Sequence, residues 1–153
     1  MKRLQFSKDI EAPVEKVYET MLGLKNISTY EQWTAEFNPT STYEGSWKEG
    51  STIYFIGEDE NGKRGGMISE IEENIPFRFV SIRFKGLLKD GKEILHGPDI
   101  ENWKDGNENY LFSEHAGITT VIVEVDTAEG YVDYFNDTWP KALDKLKEIV
   151  ENH

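Results

Sequence analysis

Gly130-Tyr131-Val132-Asp133-Tyr134-Phe135-Asn136-Asp137-Thr138-Trp139-Pro140-Lys141-Ala142-Leu143-Asp144-Lys145-Leu146-Lys147-Glu148-Ile149-Val150-Glu151 decides the fold. Its apolar residues fall at Phe135, Trp139, Ala142, Leu143, Leu146, Ile149 and Val150, the spacing of one helical stripe. Asn136, Asp137, Lys141, Asp144, Lys145, Lys147, Glu148 and Glu151 occupy the opposite face. A helix this long and aromatic needs a broad apolar surface to lie on, and nearly everything before it reads as strand. Trp139 is therefore expected to be buried, with Phe135, Leu143 and Leu146 on the sheet side. Pro140 cannot donate a helical hydrogen bond. The helix either begins near Thr138, which local propensity favours, or bends at Pro140. A sheet curled around a long helix tends to leave space between the two, and that space is the functional lead.

Working back toward the N-terminus, Leu4, Phe6 and Ile10 alternate with polar residues as in a half-buried strand, with Lys8 as the one break. Pro13 falls where a first helical turn accepts it. Val14, Val17, Tyr18, Met21 and Leu22 follow at helical spacing up to Gly23. A second short helix is expected from Ser28, with Glu31 completing a capping box and Ile27, Tyr30, Trp33 and Phe37 on its apolar side. Strands are expected over 41–47, 51–57, 63–75 and from Pro76 through Phe77 to Phe84, then over 109–114 and 119–126. The inward register of 51–57 and 77–84 stays open, because both alternating faces are partly apolar. Residues 85–107 are the least regular. The order is strand, two small helices, about six further strands and a long helix: an α+β layer in one domain, 1–153.

With 153 residues the chain is large enough to bury a core without staples, and it contains no cysteine. No leader-like apolar run opens the sequence, and no stretch approaches the roughly 18 apolar residues of a membrane span. A cytoplasmic location is expected. The net charge of −12 argues against nucleic acid and anionic membranes as partners. His96, His115 and His153 are isolated, so neither a metal nor any other cofactor is expected. Asp59-Glu60-Asn61-Gly62 lacks the remaining spacing of a calcium loop and reads as a hairpin tip.

Five segments carry a resemblance: Ile10-Glu11-Ala12-Pro13-Val14-Glu15-Lys16-Val17-Tyr18, Tyr43 through Ser51, Gly65-Gly66-Met67-Ile68, Glu108-Asn109-Tyr110-Leu111-Phe112, and Trp139 through Lys147. Together they resemble the SRPBCC (START-like, helix-grip) superfamily over essentially the whole chain. The branch they look most like is that of homologues of the heat-shock-chaperone ATPase activator. The resemblance implies a curved antiparallel sheet of about six to seven strands gripping the long helix, two short helices after strand one, and a bend at Pro140. It also implies a mostly apolar cavity, whose wall residues map to Trp33, Phe37, Trp47, Tyr54, Met67, Phe84, Tyr110, Phe112, Phe135 and Trp139.

Glu108 is the polar group expected in that cavity, and Tyr54, Tyr110, Arg83 and His96 are further residues that could point inward. A buried Glu could act as a general acid or base. Pairing of Glu108 with a basic side chain is the favoured expectation, since no nucleophile–base pair is evident. The leading functional reading is non-catalytic binding of an apolar small molecule, lipid-like or polyketide-like. The alternatives are a cyclase- or hydratase-type enzyme using cavity Glu and Tyr, and a module that regulates a chaperone ATPase. The activators of that kind carry a further N-terminal domain, whereas this sequence opens on the first strand of the grip fold.

The charge and the scattered histidines generate the first prediction. Purified protein should carry no stoichiometric metal by elemental analysis, and should leave DNA and RNA unshifted in a gel at about 0.15 M salt. One bound transition metal per chain, or a retarded band, would contradict it.

Overall fold

The structure is a computed structural model that describes Met1–Asn152. His153, one of the three histidines above, lies outside the described residues. The elements in chain order are β1 (Lys2–Ile10), α1 (Val14–Leu22), α2 (Ile27–Thr34), β2 (Thr42–Gly45), β3 (Thr52–Glu58), β4 (Arg64–Ile75), β5 (Phe79–Lys89), β6 (Lys92–Ile94), β7 (Asn107–His115) and β8 (Ile118–Thr127). A short 3-10 turn, Glu129–Tyr131, leads into α3, Val132–Glu151. All strand pairings are antiparallel, in the order β1-β8-β7-β5-β4-β3-β2, with β6 attached to β5. This is the expected α+β layer, a curved sheet with a long C-terminal helix and two short early helices. Its eight strands exceed the expected six to seven. The addition is β6, three residues in the irregular stretch, too short to leave an alternating pattern.

Local chemistry explains the helix ends. Pro13 caps α1 in an extended conformation, so its missing N–H removes no helical bond. The Val14 N–H donates instead to Glu114 Oε1 at 2.7 Å, across the chain from β7. Gly23 ends α1 at φ 68°, and the Leu24 N–H donates to the Glu19 carbonyl at 3.0 Å. In α2 the cap is Asn26 rather than Ser28. The Asn26 side-chain oxygen accepts from the Ser28 N–H at 3.0 Å, satisfying an orphan donor and starting the helix before the expected capping box.

The open registers are resolved by what lies above the sheet. In β3, Ile53 and Phe55 turn toward the helices, and in β5, Val80, Ile82 and Phe84 do so. Phe77 is not in the strand. It occupies a turn in which the Arg78 N–H donates to the Ile75 carbonyl at 3.0 Å, with Pro76 at the second position and Phe77 at φ 68°. Its ring lies edge-on to Tyr18, with centroids 5.2 Å apart. Two register shifts between β4 and β5, at Ile68/Ser69 and Ile71/Glu73, are bulges that bend and coil the sheet.

α3 packs on β1, α1 and α2. Trp139 is 2 % exposed, and Leu143 and Leu146 are buried beside it as expected, whereas Phe135 is half-buried. The helix runs unbroken through Pro140, so it does not start late at Thr138. Pro140 and Asn136, whose carbonyl loses its donor, are both on the exposed face, where water can satisfy that carbonyl. Lys8, the break in the first strand's inward set, pairs with Asp144 of α3.

Close approach of β3 and β4 generates a prediction. A Cβ at Gly66 would stand 1.9 Å from the Phe55 carbonyl oxygen. Gly66→Ala should therefore cost about 2–3 kcal/mol in urea denaturation. Gly62→Ala, at an open hairpin tip with φ +76°, should lose only the roughly 1 kcal/mol of a left-handed backbone. Equal losses would show that β3 and β4 are not so tightly apposed.

Candidate functional site

Because α3 rests on β1, α1 and α2, its N-terminal half faces β3, β4, β5 and β7 across a gap. The gap is a cavity of about 500 Å³, open at one end. α2 supplies Tyr30 and Trp33, and Phe37 follows from the loop after it. The grip helix contributes Phe135 and Trp139, and the strands contribute Phe55, Met67, Phe84 and Tyr110. Aromatic contacts hold this wall together. The Trp139 ring lies 4.9 Å from Phe37, 5.8 Å from Trp33 and 6.5 Å from Tyr110, centroid to centroid, and is stacked 6.2 Å from Phe6 of β1. The Trp33 indole N–H donates to the Met21 carbonyl at 2.9 Å, whereas the buried Trp139 N–H has no partner among the described residues. At the mouth, Tyr131 and Tyr134 are 60 % and 45 % exposed, and the Tyr134 hydroxyl donates to the Phe37 carbonyl at 3.3 Å.

Of the ten expected wall residues, seven line this space: Trp33, Phe37, Met67, Phe84, Tyr110, Phe135 and Trp139. Three do not. Trp47 is buried behind the wall, against Tyr30, Tyr43 and Phe55, its ring 5.5 Å from Tyr43. Tyr54 lies between the inward Ile53 and Phe55, so the strand's two-residue period turns it to the other face, where its hydroxyl reaches Glu93 at 3.4 Å. Phe112 faces inward but lies beyond the cavity, edge-on to Tyr18 at 5.4 Å. Of the further polar candidates, Arg83 pairs with Asp105 at 3.2 Å on the outside and His96 is exposed. Sequence reading passed over Phe55 and Trp103. Trp103 had a signal, as an isolated large ring in the irregular stretch; its ring packs edge-on to Phe84 at 5.9 Å.

Glu108 lies on the cavity side of β7, two residues from Tyr110 and opposite Ile82 and Val125. Its Oε2 accepts a hydrogen bond from the Tyr110 hydroxyl. It makes no ion pair among the described residues, which overturns the expectation of a basic partner. The carboxylate lies deep in the molecule, and the surface it keeps borders the cavity. Burial pushes its pKa up to about 7, against the opposing effect of the Tyr110 hydrogen bond. Burial and the Glu108 charge together push the Tyr110 and Tyr30 hydroxyls up, so both stay protonated. Asp126, also on the lining, is held low by Arg3, whose Nε and Nη2 reach its two oxygens at 2.8 and 3.0 Å.

No protein-family model matches the sequence, and no curated protein matches it. Solved structures do match in shape. A protein termed ChR145 from Cytophaga hutchinsonii is 23 % identical with a TM-score of 0.69, the match covering 99 % of this chain and 95 % of that one. The Aha1 dimer from Colwellia psychrerythraea is 21 % identical with a TM-score of 0.69, covering 99 % and 97 %. CalU16 from Micromonospora echinospora is 17 % identical with a TM-score of 0.65, covering 97 % and 73 %. At these identities the likeness establishes a helix-grip fold.

Proposed function

We propose that this protein binds an apolar or amphipathic small molecule in the space between its sheet and its long helix, and releases it chemically unchanged. The observation that carries this reading is the cavity itself. About 500 Å³ is within the range of small-molecule sites, and the lining is mostly aromatic with few polar groups. An interior packed only for stability would have been filled, because unfilled volume costs stability.

Glu108 supports the reading from a second direction. Burial raises its pKa to about 7 from an ordinary 4.5. The native state therefore holds this proton more tightly than the unfolded chain. The stability this contributes is complete below about pH 4.5 and is lost as pH rises toward 7. Above that, a buried carboxylate without a basic partner burdens the fold, as is common at functional sites. The same observation favours one alternative. A carboxyl poised near neutrality, hydrogen-bonded to a tyrosine, is suited to general acid–base catalysis of a cyclisation or hydration. A chaperone-regulating role has weaker support, from the sequence resemblance and the likeness in fold to the Aha1 dimer.

Two outcomes follow. Glu108→Gln should raise stability by about 2–3 kcal/mol at about pH 8, and by much less at about pH 4, in urea titrations. A thermal-shift screen of sterols, flavonoids, polyketide-like aromatics and lipids should yield stabilising compounds that also perturb tryptophan fluorescence through Trp33, Trp103 or Trp139. At a hundredfold excess over Kd such a compound adds about 2.7 kcal/mol. A screen without one hit would remove the binding reading. Turnover of a hit, abolished by Glu108→Gln, would replace it with the enzyme reading.

A further inference from the structure

Within the binding reading above, on which it rests, we infer that the ligand is an organic cation: an apolar body carrying a protonated amine that Glu108 receives among aromatic rings. Three observations converge on this chemistry. First, Glu108 keeps surface that faces the cavity. Oε2 accepts from Tyr110, while Oε1 has no hydrogen-bond partner among the described residues. A carboxylate oxygen bordering an apolar space lacks a donor, and an ammonium brings both donors and the opposite charge.

Second, the charge of the lining has one sign. Asp99, Glu108 and Asp126 are on it, and no Lys, Arg or His is. Asp126 is taken up by Arg3, and Asp99 lies in the exposed loop at the rim, so Glu108 is the one interior carboxylate without a cation. The groups around Glu108 leave this unchanged. Tyr110 on its own strand and Tyr30 on α2 are neutral. β5 presents Phe84, and the grip helix presents Phe135 and Trp139. A fatty-acid carboxylate would meet like charge here and find no counter-ion.

Third, the rings suit a cation. Tyr30, Trp33, Tyr110 and Trp139 form an aromatic group next to Glu108, with Trp33 5.6 Å from Tyr30 and 6.5 Å from Tyr110. The faces of such rings attract a cation, most strongly once water is removed. The net charge of −12 draws cations toward the protein before they reach the site.

A matched probe series tests the inference: decylamine, decanol and decanoate, and naphthylmethylamine, naphthylmethanol and naphthoate. Each is titrated below its micelle concentration by tryptophan fluorescence and calorimetry at about 0.15 M salt. At about pH 8 each amine should bind about tenfold or more tighter than its alcohol, and the carboxylate weakest. Lowering the pH to about 5.5 protonates Glu108 while the amine stays charged, and should erase most of that preference. Glu108→Gln should erase it at both pH values. Alcohols binding as well as amines would overturn the inference and leave the binding reading standing. An amine preference that survives in Glu108→Gln would assign it to surface charge and equally overturn it. Failure of all six probes would count against both readings.

Discussion

Seating of the grip helix is the constraint on which the rest of the structure depends. α3 must bury a stripe that begins at Phe135 and ends at Val150, and β1 with α1 and α2 provides the bed. The C-terminal half of the stripe, Leu143, Leu146, Ile149 and Val150, is closely packed there. Lys8 pairing with Asp144, the Lys147 ammonium donating to the Asp9 carbonyl at 3.1 Å, and the Glu11 N–H donating to Glu151 at 2.9 Å join the same half to the end of β1. The N-terminal half is seated on one side only, where Trp139 meets Phe6, Trp33 and Phe37. The bulged β4–β5 pair carries the sheet around and away from it, and two tryptophans with their neighbouring rings border the resulting space. The cavity thus follows from how the helix is held.

That geometry sets the electrostatics. A carboxylate at the same register on the outer face of β7 would be solvated, as Glu124 on β8 partly is, where Asn109 donates to it at 3.1 Å. On the inner face, rings and Ile and Val side chains take the place of much of that water, and among the described residues the one compensating donor is the Tyr110 hydroxyl. Desolvation outweighs that hydrogen bond, so the proton is retained up to about neutrality. A cationic head in the space would reverse the balance, because its charge lowers the pKa that burial raises. Binding of such a ligand would couple occupancy, protonation and stability through this one side chain.

The sequence by itself determined the architecture. A stripe of period 3.6 in the last quarter, and alternation before it, are local signals that survive in any fold burying those faces. Gly23 and Pro13 marked the ends of α1 because backbone φ restrictions are local too. The resemblance, rather than alternation, pointed to Glu108, Tyr110 and Phe112 as inward residues. What stayed illegible depended on partners distant along the chain. Strands apolar on both faces, such as β3, carry no sign of which face meets the helices. Tyr54 was therefore assigned to the wrong side, while Phe55 was passed over. Trp47 and Phe112 are inward, as their residue type implies, yet they pack in the filled parts of the interior.

The difference between a filled core and a void is a difference in distance between elements, and no pattern of residue types encodes it. The same holds for Glu108. Its position on an inward face was readable, but whether a cation would meet it depended on where Arg3 and Arg83 ended up. Arg3 went to Asp126 on the cavity lining, and Arg83 to Asp105 on the outside. Only the tertiary structure could decide that, because ion pairing is settled by three-dimensional proximity after burial has chosen the faces.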